Sequence, residues 1–159
     1  MNRVFILTIS DRASRKEKEE LTGPELIKNV KAAGFEITGY RILPDEKDAI
    51  RDEIMKIADN DTADLILTAG GIGFAERDVT PEATAEAADR FAPGLAEAIR
   101  NANIKTSPNV MLTRGIAVIR KKAIIINLPG TPKGAREAFD VFARSIVHGI
   151  ARLKGNNQM

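Results

Sequence analysis

The residues of this chain that could do chemistry are concentrated after a short aliphatic run at positions 65–67. Such a run is typical of a strand covered on both faces, and Gly70, Gly71 and Gly73 follow it. Because glycine has no Cβ, a ligand can approach the backbone closely and several N–H groups can converge on an anion. The spacing matches neither the dinucleotide nor the Walker fingerprint, so the glycines alone leave open whether the turn binds phosphate or only makes a corner.

Two aspartates and several arginines add charge to this turn. Arg77 and Asp78 precede a predicted helix, in which Thr80 is the expected N-cap and Pro81 the first helical residue, and Asp45 follows another predicted strand. Phosphoryl or nucleotidyl transfer needs a phosphate cradle, cations and carboxylates that hold Mg²⁺, and Asp45 and Asp78 can hold the metal. A capping or turn role for Asp45 and an ion pair of Asp78 with Arg77 remain open. Three arginines can offset phosphate charge: Arg12, Arg77 and Arg114.

Hydrophobic periodicity predicts the elements that position these residues. Strands are predicted at 4–9, 35–43 and 64–68, alternating with helices that begin near residues 23 and 46. Further helices begin at Pro81 and Pro93, and residues 115–119 and 123–127 are typical of a hairpin around a turn at 120–122. One long helix with a buried stripe from Ala135 to Leu153 follows, and residues 155–159 are expected to fray. This order predicts one α/β/α domain over residues 1–159, with helices on both faces of a mostly parallel sheet.

Polar residues fall at the predicted end of four strands, in the clusters 10–12, 44–45, 70–73 with Asp78, and 127–131. In sheets of this kind ligands bind outside the carboxyl ends of the strands. Turn chemistry explains an aspartate or a glycine at each place, but it does not explain Ser-Asp-Arg and Arg-Asp as ordinary connectors. We therefore expect an anion-binding cleft at this rim, with Asp45 and Asp78 facing the same hollow.

Composition narrows the chemistry further. The chain has 159 residues, a formal net charge of +2, no cysteine and a single histidine, His148. Thiol nucleophiles, disulfides, cysteine zinc sites and multi-histidine metal sites are thereby excluded. The mild charge and the 4% aromatic content do not indicate nucleic-acid binding, and no stretch resembles a signal peptide or a membrane span. A cytoplasmic protein is expected.

The order of the motifs resembles the MogA/MoaB family of molybdenum-cofactor biosynthesis proteins, which includes the G domains of gephyrin and of a related plant protein. The resemblance spans nearly the whole chain and is more similar to MogA than to MoaB. The motifs that carry it are Ser10-Asp11-Arg12, Leu43-Pro44-Asp45, Gly70-Gly71-Ile72-Gly73, Arg77-Asp78-Val79-Thr80-Pro81-Glu82-Ala83 and Asn127-Leu128-Pro129-Gly130-Thr131-Pro132.

The resemblance implies a molybdopterin adenylyltransferase, which uses Mg²⁺ and ATP to adenylate the pterin and releases pyrophosphate. It also implies a three-layer sandwich with a mixed sheet, a homotrimer, and transfer of the product to a molybdenum insertase of the MoeA type. By position, Asp45 and Asp78 match the family's essential acidic residues, which would be catalytic and hold the metal. The matching binding residues are Ser10, Asp11, Gly70, Gly71, Gly73 and Arg77 near the nucleotide loop, Thr113 and Arg114 for pterin phosphate, and Asn127, Pro129 and Gly130 in the second conserved loop.

Two departures from the family pattern keep other functions open. Ile72 replaces the usual threonine of the glycine loop, which removes a hydroxyl that could bond phosphate or metal, and Glu20 replaces an aspartate in an early loop. A molybdopterin-binding carrier without turnover, of the MoaB type, is one alternative. A different enzyme on the same layout, such as a nucleotide pyrophosphatase, is the other.

Overall fold

Six strands form the centre of the computed structural model, which describes residues 1–156: β1 (Arg3–Ile9), β2 (Glu36–Leu43), β3 (Leu65–Ala69), β4 (Arg90–Phe91), β5 (Ala117–Arg120) and β6 (Ala123–Leu128). They make one sheet in the order β2-β1-β3-β6-β5-β4. Strands β2, β1, β3 and β6 are parallel, whereas β5 is antiparallel to both of its neighbours. The mostly parallel, mixed sheet predicted from the sequence is confirmed.

Helices cover both faces of this sheet: α1 (Asp11–Ser14), α2 (Thr22–Ala32), α3 (Lys47–Asp59), α4 (Thr80–Ala87), α5 (Pro93–Asn103), α6 (Pro132–Phe142) and α7 (Ser145–Leu153). Alternate residues of β1 point to opposite faces, as the pleat requires. Val4 and Ile6 join a buried cluster with α2, α5, α6 and α7, whereas Phe5 and Leu7 join a second cluster with α3 and α4. The result is the three-layer α/β/α sandwich that the sequence predicts.

Several local predictions are wrong. Thr80 is the first residue of α4 rather than its N-cap: its N–H donates to the Gly71 carbonyl at 3.1 Å, and no side chain caps this helix. The last helix is two helices, α6 and α7, although Ala143 and Arg144 between them keep helical backbone angles. The hairpin turn contains two residues rather than three, because Arg120 pairs directly with Ala123.

Three short elements were not predicted from the sequence: the one-turn helix α1, the two-residue strand β4 and a 3₁₀ segment at Pro108–Leu112. No helix within residues 1–156 is long and apolar enough to cross a membrane. Residues 157–159 of the tail that was expected to fray lie outside the described residues.

Candidate active site

The glycine loop between β3 and α4 is held in a conformation that side chains disfavour. Gly70 and Gly71 have φ angles of +113° and +70°, in the left-handed region. A Cβ on Gly70 would collide with the carbonyl oxygen of Ile9, and one on Gly71 would collide with Oγ1 of Thr80. A Cβ on Gly130 would lie 3.0 Å from the Gly70 Cα. The bare backbone of the loop therefore fits closely between the ends of β1 and β6 and the start of α4.

Two aspartates tie the loops after β1 and β2 together. The Asp11 N–H donates to Oδ2 of Asp45 at 2.8 Å, and the Asp45 N–H donates to Oδ1 of Asp11 at 2.9 Å. Ser10 begins α1 as its N-cap, with Oγ accepting from the Ala13 N–H, and the Ser10 N–H donates to the Leu43 carbonyl. Both predicted clusters therefore lie at one rim of the sheet, and Ser10 contributes to the shape of that rim.

Arg77 pairs with Asp11 and not with its sequence neighbour Asp78. Its Nε and Nη2 donate to the two carboxylate oxygens of Asp11 at 2.6 and 3.0 Å. The hydrogen bond from Arg77 lowers the pKa of Asp11, against the desolvation that would raise it. This bidentate contact links the segment after the glycine loop to the loop after β1, and it places a half-exposed guanidinium at the mouth of the cleft.

Asp45 and Asp78 lie against the same glycine loop. A Cβ on Gly71 would lie 3.1 Å from Oδ1 of Asp45, and one on Gly73 would lie 2.8 Å from Oδ2 of Asp78. Burial raises the pKa of Asp45, and the negative charges of Asp11 and Asp78 act in the same direction. The two carboxylates thus lie close enough to repel each other, and a cation between them would relieve that repulsion.

Arg114 clamps the glycine loop to helix α4. Its Nε donates to the Gly73 carbonyl at 2.7 Å, its Nη2 donates to the Asp78 carbonyl at 2.6 Å, and both Nη atoms donate to the Glu82 carboxylate. Its backbone N–H also donates to the Ile72 carbonyl at 2.7 Å. The guanidinium is committed to holding the loop, so in this structure Arg114 acts as a positioning residue.

Three predicted binding residues lie beside the glycine loop: Thr113, Pro129 and Gly130. None of them directs a free side-chain donor into the cleft. The Thr113 hydroxyl donates to the Val110 carbonyl at 2.6 Å. Leu128, the residue before Pro129, accepts the Gly70 N–H through its carbonyl at 3.0 Å, and the Gly130 carbonyl accepts the Thr22 hydroxyl. These contacts fix the second loop against the first.

Asn127 is a predicted binding residue whose side chain the structure buries. It is buried, its Nδ2 donates to the hydroxyls of Thr68 and Thr84 at 2.9 Å, and its Oδ1 accepts the Ile116 N–H. All its polar atoms are satisfied inside the protein, so a direct contact between its side chain and a ligand is not what this geometry supports. Asn127 was a candidate for ligand binding because it lies on the second conserved loop. Its hydrogen bonds show that its side chain instead joins neighbouring segments of the protein.

Thr80 is a residue at the site whose role sequence reasoning missed. Its hydroxyl is buried, has no hydrogen-bond partner and lies next to Gly71, near Asp45. A buried polar atom without a partner is uncommon and indicates that something else satisfies it. The sequence Val-Thr-Pro next to the glycine loop could have indicated a site residue, but Thr80 was interpreted only as a helix N-cap.

Ile72 and Glu20, which depart from the family pattern, both serve the fold. Ile72 is 7% exposed and its Cδ1 packs towards Gly115, so its side chain points under the loop and not into the cleft. Glu20 accepts the N–H groups of Thr22 and Gly23 at the start of α2 and the Tyr40 hydroxyl at 2.6 Å. Ile72 therefore fills space below the loop, whereas Glu20 also lines a pocket of about 130 Å³ with Ser10 and Gly130.

An open groove of about 420 Å³ runs beside this centre. Its lining mixes both charges and comprises Asp45, Glu46, Lys47, Asp48, Glu76, Arg77 and Val79. Across residues 1–156, no three acidic or histidine side chains converge where they could hold a metal ion by themselves. A divalent cation here would need ligands from a bound substrate as well.

Comparison with known proteins identifies the same architecture. Residues 5–149 match the model of a family described as a probable molybdopterin binding domain. A molybdopterin adenylyltransferase of Helicobacter pylori is 38% identical over 96% of this chain and 88% of the relative, and that of Escherichia coli K12 is 38% identical over 93% and 79%. The crystal structure of the molybdopterin biosynthesis enzyme MoaB of Thermus thermophilus is 41% identical, covers 98% of each chain and gives a TM-score of 0.92.

Proposed function

The chain belongs to the family of probable molybdopterin binding domains, and from that premise we propose that it is a molybdopterin adenylyltransferase. The proposed substrates are ATP and molybdopterin. One observation carries the proposal beyond the family: Asp45 and Asp78 lie against the two ends of a bare Gly71–Gly73 backbone, with the Arg77 guanidinium on the same rim.

The proposed reaction transfers AMP without a general base. An oxygen of the terminal phosphate of molybdopterin attacks the α-phosphorus of ATP, a new P–O bond forms, and the bond to the β-phosphate breaks. The electron pair leaves with pyrophosphate. Because the attacking phosphate is already an anion, no proton has to be removed, and the chain needs only to align the two phosphates and balance their charge.

The residues present fit a Mg²⁺ ion at this place. Asp45 and Asp78 would hold it, and the Thr80 hydroxyl, which has no partner, lies beside them. Magnesium is usually bound through one or two carboxylates together with substrate phosphates. Within residues 1–156 no third acidic or histidine side chain converges with these two, which agrees with that mode of binding. When bound, the ion would neutralise charge on the phosphates of ATP.

The other predicted residues have proposed roles of two kinds. Gly71 and Gly73 offer backbone N–H groups and close approach to phosphate, and Arg77 offers positive charge. The Gly70 N–H already donates to the Leu128 carbonyl, so Gly70 contributes the turn that presents the other two glycines. The remaining residues support the shape of the site: Ser10, Asp11, Thr113, Arg114, Asn127, Pro129 and Gly130. We propose that Arg114 acts on the pterin phosphate only through the loop it clamps, because four of its five N–H donors already bind the Gly73 and Asp78 carbonyls and the Glu82 carboxylate.

A carrier that binds molybdopterin without turnover is the second candidate, favoured by the missing hydroxyl at Ile72. The inward direction of this side chain weakens that interpretation, since the residue contributes packing below the loop. Assembly as a homotrimer, transfer of the product to an insertase of the MoeA type and a cytoplasmic location are further parts of the proposal. They are supported by the family resemblance alone.

Pyrophosphate release from Mg-ATP, measured with and without molybdopterin, tests the proposal. We expect release only when the pterin is present, and we expect Asp78→Asn to reduce it about a hundred-fold or more. Asp140→Asn, at an exposed position of α6, is the matched control and should retain full activity.

Other outcomes would select other functions. Bound molybdopterin with no adenylated product would select the carrier. ATP hydrolysis without any pterin would select the pyrophosphatase. Unchanged turnover in Asp78→Asn would remove this carboxylate from the mechanism.

A further inference from the structure

The glycine loop ends in an aromatic side chain that the fold leaves in solvent. Phe74 follows Gly73 directly, and it is 72% exposed, more than any other described large hydrophobic residue except Met1. Scattered exposed apolar residues are ordinary. Phe74 differs because its neighbours in the chain are the residues that shape the candidate active site.

The backbone on both sides of Phe74 is fixed. On one side, the Gly73 carbonyl accepts from Nε of Arg114 at 2.7 Å. On the other side, the Ala75 N–H donates to Oδ2 of Asp78 at 3.0 Å, and the Asp78 N–H closes a turn by donating to the Ala75 carbonyl. The ring is therefore attached at a defined position on the rim of the cleft, one residue from the N–H that binds the carboxylate we assign to catalysis.

A second exposed apolar segment is joined to the glycine loop by a backbone hydrogen bond. The backbone of Arg114 is bonded to Ile72, which places the end of the 3₁₀ segment within a few residues of the loop. That end carries Met111 and Leu112, which are 60% and 46% exposed. We call these three exposed side chains, Phe74, Met111 and Leu112, the apolar lip; the two hydrogen-bonded segments carry them, and none belongs to the charged lining of the groove.

We propose that this apolar lip, and Phe74 above all, binds the planar heteroaromatic ring of a substrate whose phosphate lies on the glycine loop. The inference rests on the proposed function, in which both substrates join a flat ring to phosphate: the adenine of ATP and the pterin of molybdopterin. An aromatic side chain stacks on such a ring and tolerates its hydrogen-bonding pattern, because every such ring has a π-face. Phe74 is thus a substrate-binding residue that fixes the ring, while the loop and the carboxylates fix the phosphates.

Equilibrium binding separates the ring from the phosphates. Titration calorimetry would compare Mg-ATP, inorganic tripolyphosphate and a pterin carrying a phosphate ester on the native chain, on Phe74→Ala and on Phe74→Tyr. We expect Phe74→Ala to weaken at least one ring-bearing ligand about tenfold, a typical loss for one stacked base, and to leave tripolyphosphate within about twofold. Phe74→Tyr should restore most of the affinity, and the ligand that is weakened tells which ring the lip holds.

Phe91→Ala is the matched control. Phe91 is also an exposed phenylalanine, at 61%, but it lies on β4, three strand positions from β3 and about 14 Å away at the usual strand spacing. The Phe91→Ala variant should bind every ligand as the native chain does. The ring signals of Phe74 can be assigned in NMR spectra because they are missing from the spectrum of Phe74→Ala. In the native chain, these signals should shift when a ring-bearing ligand is added and should not shift with tripolyphosphate.

Two results would overturn the inference: equal weakening of ring-bearing and ringless ligands, which would mean that the loop itself is disturbed, or no change with either ring. Both are read without the second substrate and without turnover. The inference can therefore fail while AMP transfer is intact, and AMP transfer can fail while the contrast between the ligands persists.

Discussion

Asp64 and Asp45 lie at opposite ends of the same sheet and have opposite electrostatics. Asp64 precedes β3 and its side chain is 1% exposed. It accepts from the backbone N–H, Nε and Nη2 of Arg3, and Nζ of Lys154 lies 3.0 Å away. Burial opposes the charged form, but these donors outweigh it, and the pKa of Asp64 is lowered. At the other end, burial and two neighbouring carboxylates raise the pKa of Asp45.

The contrast separates stability from function. At the amino end, a carboxylate is fully paired and joins the first strand, the third strand and the segment after α7. At the carboxyl end, the charged form of Asp45 is opposed by burial and by the charges of Asp11 and Asp78, although its Oδ2 accepts the Asp11 N–H. A bound cation would offset this repulsion. Perturbed carboxylates of this second kind are typical of active sites.

Of these two aspartates, Asp45 gives the larger expected effect on activity, in the variant Asp45→Asn. The neutral amide holds Mg²⁺ far more weakly than a carboxylate does, so we expect the rate of AMP transfer to fall about a hundred-fold. The free energy of unfolding at neutral pH should stay equal or rise, because the amide removes a charge that the native fold disfavours. Steady-state kinetics would measure the rate, and urea unfolding would measure the stability. A large loss of stability would contradict the inference that the charge of Asp45 destabilises the native fold.

Asp64→Asn should show the reverse pattern. We expect the free energy of unfolding to fall by about 2 to 3 kcal/mol, since hydrogen bonds to charged partners are lost in a buried place. The folded fraction should keep its rate within about twofold. Asp61→Asn is the control: Asp61 also pairs with Arg3, but its side chain is 73% exposed, so the loss should stay below about 1 kcal/mol. A strong loss of activity in folded Asp64→Asn would contradict the inference that the amino end serves stability and the carboxyl end serves function.

Two arginines, Arg114 and Arg120, extend the comparison of the two ends, with expected effects of intermediate size. Arg114→Lys removes the fork that holds the Gly73 and Asp78 carbonyls, and we expect kcat/KM to fall about tenfold because the loop loses its position. Arg120→Lys removes a similar fork far from the cleft, where Arg120 binds both oxygens of Asp59 and the Ala87 carbonyl. Both variants should lose about 1 kcal/mol of stability, but only the first should lose activity. Equal activities would show that the clamp is not needed for turnover.

The smallest effects are expected in the pH dependence of stability. The folded-state pKa of Asp64 is lowered, so its stabilisation is present above the ordinary value of 3.8 and is lost as pH falls through the folded value. The deficit of Asp64→Asn should therefore shrink in acid. The folded-state pKa of Asp45 is raised, so its penalty is absent below 3.8 and develops as pH rises through the folded value. Any gain in the free energy of unfolding of Asp45→Asn over the native chain should therefore appear only as pH rises above 3.8. Urea unfolding over a pH series would show both trends.

The sequence predicted the framework because the framework depends on long patterns. The aliphatic runs of β1, β3 and β6 can be buried only between layers, and parallel strands bring their carboxyl ends to one rim whatever the details of the loops. This is why the clusters around Ser10, Asp45 and Gly70 were placed together correctly. Strand β4 consists of two exposed residues without an aliphatic run, so no sequence pattern predicted it.

The choice of partners within the site could not be predicted in the same way. Arg77 reaches Asp11 rather than Asp78, and Asn127 turns inward to Thr68 and Thr84. Both outcomes depend on loop conformations that are set by contacts distant in sequence. Thr80 is the instructive error, since its residue type fits a cap while its hydroxyl remains without a partner beside Gly71.

The single reversed strand has a practical consequence. Because β5 runs against its neighbours, its hairpin with β6 turns at the amino rim of the sheet, across the full length of the strands from the cleft. The tip of this hairpin, Lys121 and Lys122, is exposed and basic. A fluorophore, an affinity tether or an inserted peptide placed there would leave the mouth of the cleft unobstructed, which makes this tip the natural handle for immobilising the protein in binding assays.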